Sequence, residues 1–202
     1  MCRVGLSFLL LGLWATTAFA QTELDLAERI RLHELLRVSI TTEFTLQPKG
    51  ALPAQLSYQV FLGFGLDFET RKNFVRWLEE WNRKRAARYA TLVVTEDLQQ
   101  AQIILARFPG DETVTDITSY AMKSEGSVYD KANTQREYHT AFFSYVLLPL
   151  QAAPLRLQAI WRNLVQVKRK AKDARSTEEG NDAGWQLRNA LFDLLKRHKK
   201  QP

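Results

Sequence analysis

An acid, a hydroxyl and an imidazole lie close enough along this sequence to raise the question of hydrolytic chemistry. They are Asp116, Ser119 and His139. The first two belong to a polar segment, 109–138, that we predict to be a long loop, with a short strand around 118–122 as an alternative within it. A serine attacks an ester or amide when a histidine takes its proton and a carboxylate orients that histidine. No Gly-x-Ser-x-Gly turn presents this serine. We therefore name the three residues only as ones to test, in a small hydrolase that would use the 109–139 loop.

Metal, nucleotide and thiol chemistry each lack the residues that they require. The three histidines are far apart in the sequence, and none belongs to a His-Glu-x-x-His pair that could bind zinc. Gly63-Phe64-Gly65 lies between a predicted strand and a predicted helix, but Phe68 stands where a dinucleotide-binding turn needs its third glycine. The only cysteine is Cys2. We therefore expect neither a metal nor an organic cofactor.

Residues 74–89, FVRWLEEWNRKRAARY, combine aromatic rings with cations, as a nucleic-acid or membrane surface would. On a helical wheel, however, the apolar side chains fall within about 120° of one another, and most charges fall on the other side. Glu79 and Glu80 each precede a cation by four residues, an arrangement that stabilises a helix. We predict a helix that packs its tryptophans on a core, and no nucleic-acid partner. The side chains predicted to face that core are Phe74, Trp77, Leu78, Trp81 and Tyr89.

The first twenty residues have the composition of a signal peptide. Arg3 is followed by an apolar run, 4–14, that is too short to span a bilayer. Ala18-Phe19-Ala20 fits the small-x-small cleavage rule, so we predict cleavage between Ala20 and Gln21 and export to the periplasm or the medium. Because Cys2 is removed with this segment, the processed chain would contain no disulfide.

The positive charge of the chain is concentrated near its C-terminus. Residues 21–167 contain 17 basic and 17 acidic side chains, whereas residues 168–202 contain 10 basic and 5 acidic ones. A nucleic-acid-binding protein would spread its cations over the body. The last cations either neutralise the end of a final helix, which is the simpler interpretation, or contact an anionic membrane or polymer. These cations are Lys196, Arg197, Lys199 and Lys200.

The hydrophobic pattern predicts an α/β domain over residues 51–202, with a mixed β-sheet packed by helices. Its core is β-α-β-α-β, and a C-terminal β-hairpin and a closing helix follow. The predicted elements are strands at 57–62, 91–95, 103–108 and 140–148, one short helical turn after Asp97, and helices at 68–89 and 183–198.

Two segments are less regular. Residues 155–168 fit a strand or a helix, and we favour a strand that forms a hairpin with 140–148. Residues 21–50 predict a loosely attached helical arm followed by a linker. In that arm Leu26, Ile30 and His33 share one helical face.

The run 57–108 resembles α/β domains of bacterial envelope proteins, namely the TolB N-terminal domain, CsgG-type domains and related periplasmic lipoprotein domains. Ala101-Gln102 stands where those domains usually have Ala-Asp, and Ile160-Trp161 matches their aliphatic-tryptophan pair before a last helix. The resemblance implies an exported domain that binds other proteins and has no active site, and it assigns no functional residue.

We therefore expect a non-catalytic protein that binds a partner, another protein of the cell envelope. Two alternatives remain at this point. One is the small hydrolase described above, and the other is a peripheral membrane or polyanion binder that uses the basic C-terminal tail.

Overall fold

The computed structural model describes residues 22–47, 50–65, 68–120, 132–152, 154–170 and 178–197. In chain order its elements are β1 (Thr22–Glu23), α1 (Leu26–Leu36), β2 (Glu43–Leu46), β3 (Ser57–Phe64), α2 (Phe68–Arg85), β4 (Thr91–Thr95), a 3₁₀ turn (Leu98–Gln100), β5 (Ile103–Tyr120), β6 (Ala132–Ala152), β7 (Leu155–Lys170) and α3 (Glu178–Lys196). The strands form one seven-stranded mixed sheet in the order β1-β2-β7-β6-β5-β3-β4. The predicted α/β class is confirmed.

The stretch 57–108 folds as predicted. β3 pairs in parallel with both β4 and β5, so α2 and the 3₁₀ turn are crossover connections between parallel strands. Asp97 begins the turn by accepting a hydrogen bond from the backbone N–H of Gln99 at 2.9 Å. α2 ends at Arg85, earlier than predicted, and Tyr89 then packs on Trp81 with ring centroids 5.6 Å apart.

Residues 155–168 lie in a strand, the favoured one of the two interpretations. β7 pairs antiparallel with β6, for example at Val165 opposite Phe142. Leu157 and Ala159 are buried on one face of the sheet and Ile160 on the other. A strand that is covered on both faces loses its alternation of apolar and polar side chains, which is why this pattern also fitted a helix.

The predicted loop at 109–138 is wrong, because its described residues continue two strands. The β5–β6 ladder resumes after a bulge between Pro109 and Glu112 and runs to Tyr120, which pairs with Ala132. Residues 112–116 are exposed, so apolar side chains are not required there. The threonines and the valine of this segment favour a strand, but the acidic residues between them are typical of a loop. Residues 121–131 lie outside the described residues.

The predicted loose arm at 21–50 is also corrected. β2 pairs in parallel with β7, and β1 pairs antiparallel with β2, so this segment contributes two strands to the sheet. α1 packs on the sheet through Leu32 and Leu36, which are buried, whereas Leu26 and Ile30 are exposed. The segment is therefore an integral part of the domain.

Two hydrophobic cores lie on opposite faces of the sheet. α2 and α3 cover one face, and α1 covers part of the other. Trp81 is buried in the first core and donates its indole N–H to the carbonyl oxygen of Ala90 at 3.0 Å, while Trp77 is partly buried against the same core. The predicted packing of the tryptophans on a core is confirmed.

Asn82 of α2 protects the outer edge of β4. Its amide donates to the carbonyl oxygen of Leu92 at 2.6 Å, and its side-chain oxygen accepts from the N–H of Leu92 at 2.8 Å. Thr91 directs its own N–H towards the carbonyl oxygen of Leu56, beside β3, so the groups of Leu92 point the other way. The side chain thus pairs with backbone groups that an exposed edge would offer to another strand.

Candidate functional site

The strand geometry separates the three residues considered for hydrolysis. His139 pairs with Thr113, and Ser119 is six residues further along β5, which is about 20 Å in an extended strand. Asp116 is three residues from Thr113 and therefore projects from the other face of the ribbon. Its carboxylate accepts a hydrogen bond from Arg136 at 2.8 Å, and this bond lowers the pKa of Asp116. The structure does not bring the acid, the hydroxyl and the imidazole together.

His139 does have an acidic neighbour on its own strand. Its Nε2 lies 3.7 Å from a carboxylate oxygen of Glu137, and both side chains are mostly buried. Residues two apart on a strand project from the same face, which brings these two side chains together. The ring lines a cleft beside α1.

The cleft lies between α1 and the ribbon of β5, β6 and β7, and we call it the α1 cleft. Its volume is about 910 Å³. Apolar side chains of all these elements line it, and threonines and charged residues lie among them. The apolar lining includes Ile30, Phe108, Phe143 and Leu164, and the polar lining includes Thr113, Thr115, His139 and Gln166.

An ion pair between a buried carboxylate and a partly exposed guanidinium attaches α1 to the sheet at the cleft. Glu28 is 5% exposed and accepts a hydrogen bond from the Tyr145 hydroxyl at 2.6 Å. Arg162 donates to both carboxylate oxygens of Glu28, with its Nε 3.1 Å from one of them. Both oxygens are therefore engaged by donors, and the carboxylate acts as a structural clamp between α1 and the strands β6 and β7.

The pKa values around Glu28 reflect the same contacts. Burial, and next the hydrogen bond to Glu28, raise the pKa of the Tyr145 hydroxyl well above its ordinary range. The hydrogen bond to Glu28 is also the main cause that raises the pKa of Arg162. Sequence reasoning missed this cluster because its members are far apart in the chain. The only available signal was the helical spacing of Glu28 with Leu32 and Leu36.

The outer side of α1 exposes aliphatic side chains. Leu26 is 63% exposed, Ile30 is 49% exposed, and Ile40, in the turn after the helix, is 89% exposed. A second groove of about 650 Å³ lies between α1 and β2, and these three side chains line it together with Phe44. We call Leu26, Ile30 and Ile40 with this groove the α1 surface. Ile30 lines both the groove and the α1 cleft.

The C-terminal cations are only partly described. Lys196 and Arg197 are exposed at the end of α3, and Lys196 forms an ion pair with Asp193 at 2.8 Å. Lys199 and Lys200 lie outside the described residues. A cation in the last turn of a helix is favourable for the helix itself, so this pair agrees with the capping interpretation without testing a contact with a membrane.

Comparisons with known proteins add no family. No family model matches the sequence, and no curated protein matches it significantly. Among the described residues, no helix is long and apolar enough to cross a membrane. In the same part of the chain, no three or more His, Cys, Asp or Glu side chains are grouped as they would be to hold a metal ion.

Proposed function

We propose that this protein is exported and non-catalytic, and that it binds another protein of the cell envelope through the α1 surface. The observation that carries the proposal is the exposure of Leu26, Ile30 and Ile40 around one groove, next to a large cleft. Single exposed aliphatic residues are ordinary on a soluble protein, but neighbouring ones that line a concave surface are typical of a binding site.

The energetics favour a protein partner. Burying a leucine or isoleucine side chain contributes about 1.5–3 kcal/mol, and three such residues could supply the apolar centre of a modest interface. Two pairs of neighbouring charges already interact within the chain, Arg31 with Glu34 and Arg156 with Glu43. These ion pairs are suited to the polar rim of such an interface.

Export is the second part of the proposal, and it rests on the composition of residues 1–20. Expression in a bacterial host, followed by fractionation of the envelope and intact mass measurement, tests it. We expect the exported chain to begin at Gln21. An unprocessed chain that stays in the cytoplasm would contradict export, although it would leave the α1 surface to be tested on its own.

The binding experiment compares two double variants of similar exposure. Ile30→Glu with Ile40→Glu places charges on the α1 surface. Leu56→Glu with Val93→Glu does the same at two other exposed positions, which are 71% and 42% exposed. A partner captured from envelope extracts by the original protein is identified, purified and titrated against both variants. We expect the first variant to weaken binding by at least about tenfold and the second to leave it unchanged.

Two results would contradict the assignment of the surface. One is equal binding of the partner by the original protein and by the variant with Ile30 and Ile40 replaced. The other is equal weakening by both double variants, which would indicate a general effect of added charge. Circular dichroism of each variant establishes that the fold is retained.

A further inference from the structure

α2 and α3 lie side by side and run in the same direction. Gly184 packs against Thr70 and Phe74 near the start of both helices. Further along, the guanidinium of Arg188 lies 4.8 Å from the centre of the Trp77 ring, and then the rings of Phe192 and Trp81 lie 4.6 Å apart. The C-terminal ends of the two helices therefore lie at the same end of the molecule.

This arrangement joins two basic segments that are more than a hundred residues apart in the sequence. The shallow groove between the helices, about 280 Å³ in volume, contains four cations and one carboxylate, a net charge of +3. Lys84 and Lys196 are 58% and 50% exposed, and Arg85 is also exposed. We call this the α2–α3 groove, and its lining residues are Trp77, Glu80, Trp81, Lys84, Arg85, Arg188, Phe192 and Lys196.

Further cations surround the groove. Arg83 and Arg88 at the end of α2 and Arg197 at the end of α3 are all exposed. Two of the acids in this region, Glu80 and Asp193, are already paired with cations of the groove. Cations of the last turns neutralise the two parallel helix dipoles, but their excess over the acids leaves this end of the pair positive.

An aromatic side chain accompanies these cations at the surface. Trp185 of α3 is 51% exposed, although tryptophan is usually buried to a large extent. The guanidinium of Arg188 lies 5.3 Å from the centre of the Trp185 ring, and the same guanidinium contacts the Trp77 ring. Tryptophan next to lysine and arginine is the combination that favours the interface between water and a lipid bilayer.

We propose that the α2–α3 groove, with the exposed cations at the two helix ends and Trp185, docks on the surface of an anionic phospholipid bilayer. A bilayer fits better than an acidic protein because the groove is small and its cations continue along the exposed ends of both helices. Its charges are on long, flexible side chains, which suit a fluid surface of phosphate headgroups. This inference does not depend on the partner proposed for the α1 surface.

The test measures sedimentation with vesicles of phosphatidylcholine alone and of phosphatidylcholine with phosphatidylglycerol. One variant replaces Lys84 and Lys196 by glutamate. The matched control replaces Arg136 and Arg156 by glutamate. Each variant changes the net charge equally and breaks two exposed ion pairs. All proteins contain the same residues at the N-terminus, so any contribution of residues 1–20 is common to them.

We expect binding only to the anionic vesicles, weakened at least about tenfold in the first variant and much less in the control. Raising the ionic strength from about 0.01 M to about 0.15 M should also weaken it, because the screening length becomes shorter. The fluorescence of the protein should shift to shorter wavelength on binding, and Trp185→Phe should remove most of this shift.

Equal binding by the two charge variants, or no binding of the original protein to anionic vesicles at low salt, would overturn the proposal. The basic groove would then be a candidate site for an acidic protein. A blue shift that survives in Trp185→Phe would also contradict the placement of this face on the bilayer.

Discussion

Glu28 is a carboxylate on the buried face of α1, and its position depends on two partners from the sheet. Tyr145 and Arg162 pair with each other across β6 and β7, so their side chains lie next to each other below the helix. A buried charge is costly unless donors satisfy it. Here the donors come from two strands that lie far from Glu28 in the sequence, and the carboxylate consequently fixes the position of the helix.

Replacing Arg162 should destabilise the protein more than replacing Glu28. Arg162→Met removes the charged donor from the buried Glu28 carboxylate, which keeps the hydrogen bond from the Tyr145 hydroxyl. Glu28→Gln leaves an arginine whose side chain is 35% exposed and can reach water. We expect a loss in the free energy of unfolding of about 2–3 kcal/mol for Arg162→Met and about 1 kcal/mol for Glu28→Gln, measured by urea denaturation. Equal losses would contradict this account of the clamp.

Tyr145 should make the protein sensitive to alkali. Its pKa is raised in the folded state above the ordinary value of 10.0, so the folded protein holds this proton more tightly than the unfolded chain. The resulting stabilisation is complete below about pH 10 and is lost as the pH rises further. The free energy of unfolding should therefore fall above about pH 10, and it should fall less steeply in Tyr145→Phe. The same slope in both proteins would rule out the contribution of Tyr145.

At the scale of elements, α1 differs most from its predicted role. The apolar face seen in the sequence, Leu26 with Ile30, is the exposed one, and the buried face consists of Glu28, Leu32 and Leu36. A helix with apolar side chains on both sides does not indicate which side packs on the sheet. Because Tyr145 and Arg162 satisfy the Glu28 carboxylate, the face of α1 that contains this charge can be buried on the sheet. Leu26 and Ile30 on the other side of the helix consequently remain exposed as part of the α1 surface.

Two substitutions test whether α1 is an integral element. Leu32 is 0% exposed, so Leu32→Ala should lower the free energy of unfolding by about 2–4 kcal/mol. Ile30 is 49% exposed, so Ile30→Ala should change it by less than about 0.5 kcal/mol. Tryptophan fluorescence during urea denaturation is a suitable measurement, because Trp81 is buried in the core on the opposite face of the sheet. An unchanged midpoint for Leu32→Ala would indicate a loose arm after all.

The ribbon of β5 and β6 shows why polar strands are difficult to predict. Asp116 and Arg136 pair across its exposed part, and Thr113 lies opposite His139. Such pairs stabilise a sheet without apolar side chains. Because a polar strand is stabilised as much by its pairing partner as by its own residues, its sequence alone gives little indication that it forms a strand.

At the scale of the whole molecule, the two proposed surfaces lie on opposite faces of one sheet. Two acids and one permanent cation line the groove of the α1 surface, a net charge of −1, whereas the α2–α3 groove has a net charge of +3. This asymmetry would orient the protein with α2 and α3 towards an anionic bilayer and the α1 surface towards a partner.

The two surfaces should accordingly be independent. Ile30→Glu with Ile40→Glu should weaken partner binding at least about tenfold without changing the binding of vesicles, and Lys84→Glu with Lys196→Glu should do the reverse. Substitutions on separate surfaces that share no contacts are expected to have additive effects. Titration of each variant with the partner and with anionic vesicles checks this, and loss of both activities in either variant would contradict it.

The amino-acid sequence by itself determined the α/β class, the core from 57 to 108 and the packing of the tryptophans. These follow from local periodicity, capping and helix amphipathicity, which depend on residues close together in the chain. Only the tertiary structure decided that 155–168 is a strand rather than a helix and that β1 and β2 join the sheet. It also decided that 112–117 continue a strand and that Lys84 and Lys196 line one groove. Each of these depends on a partner that is distant in the sequence, and such pairings are set by the packing of the whole sheet rather than by local preference.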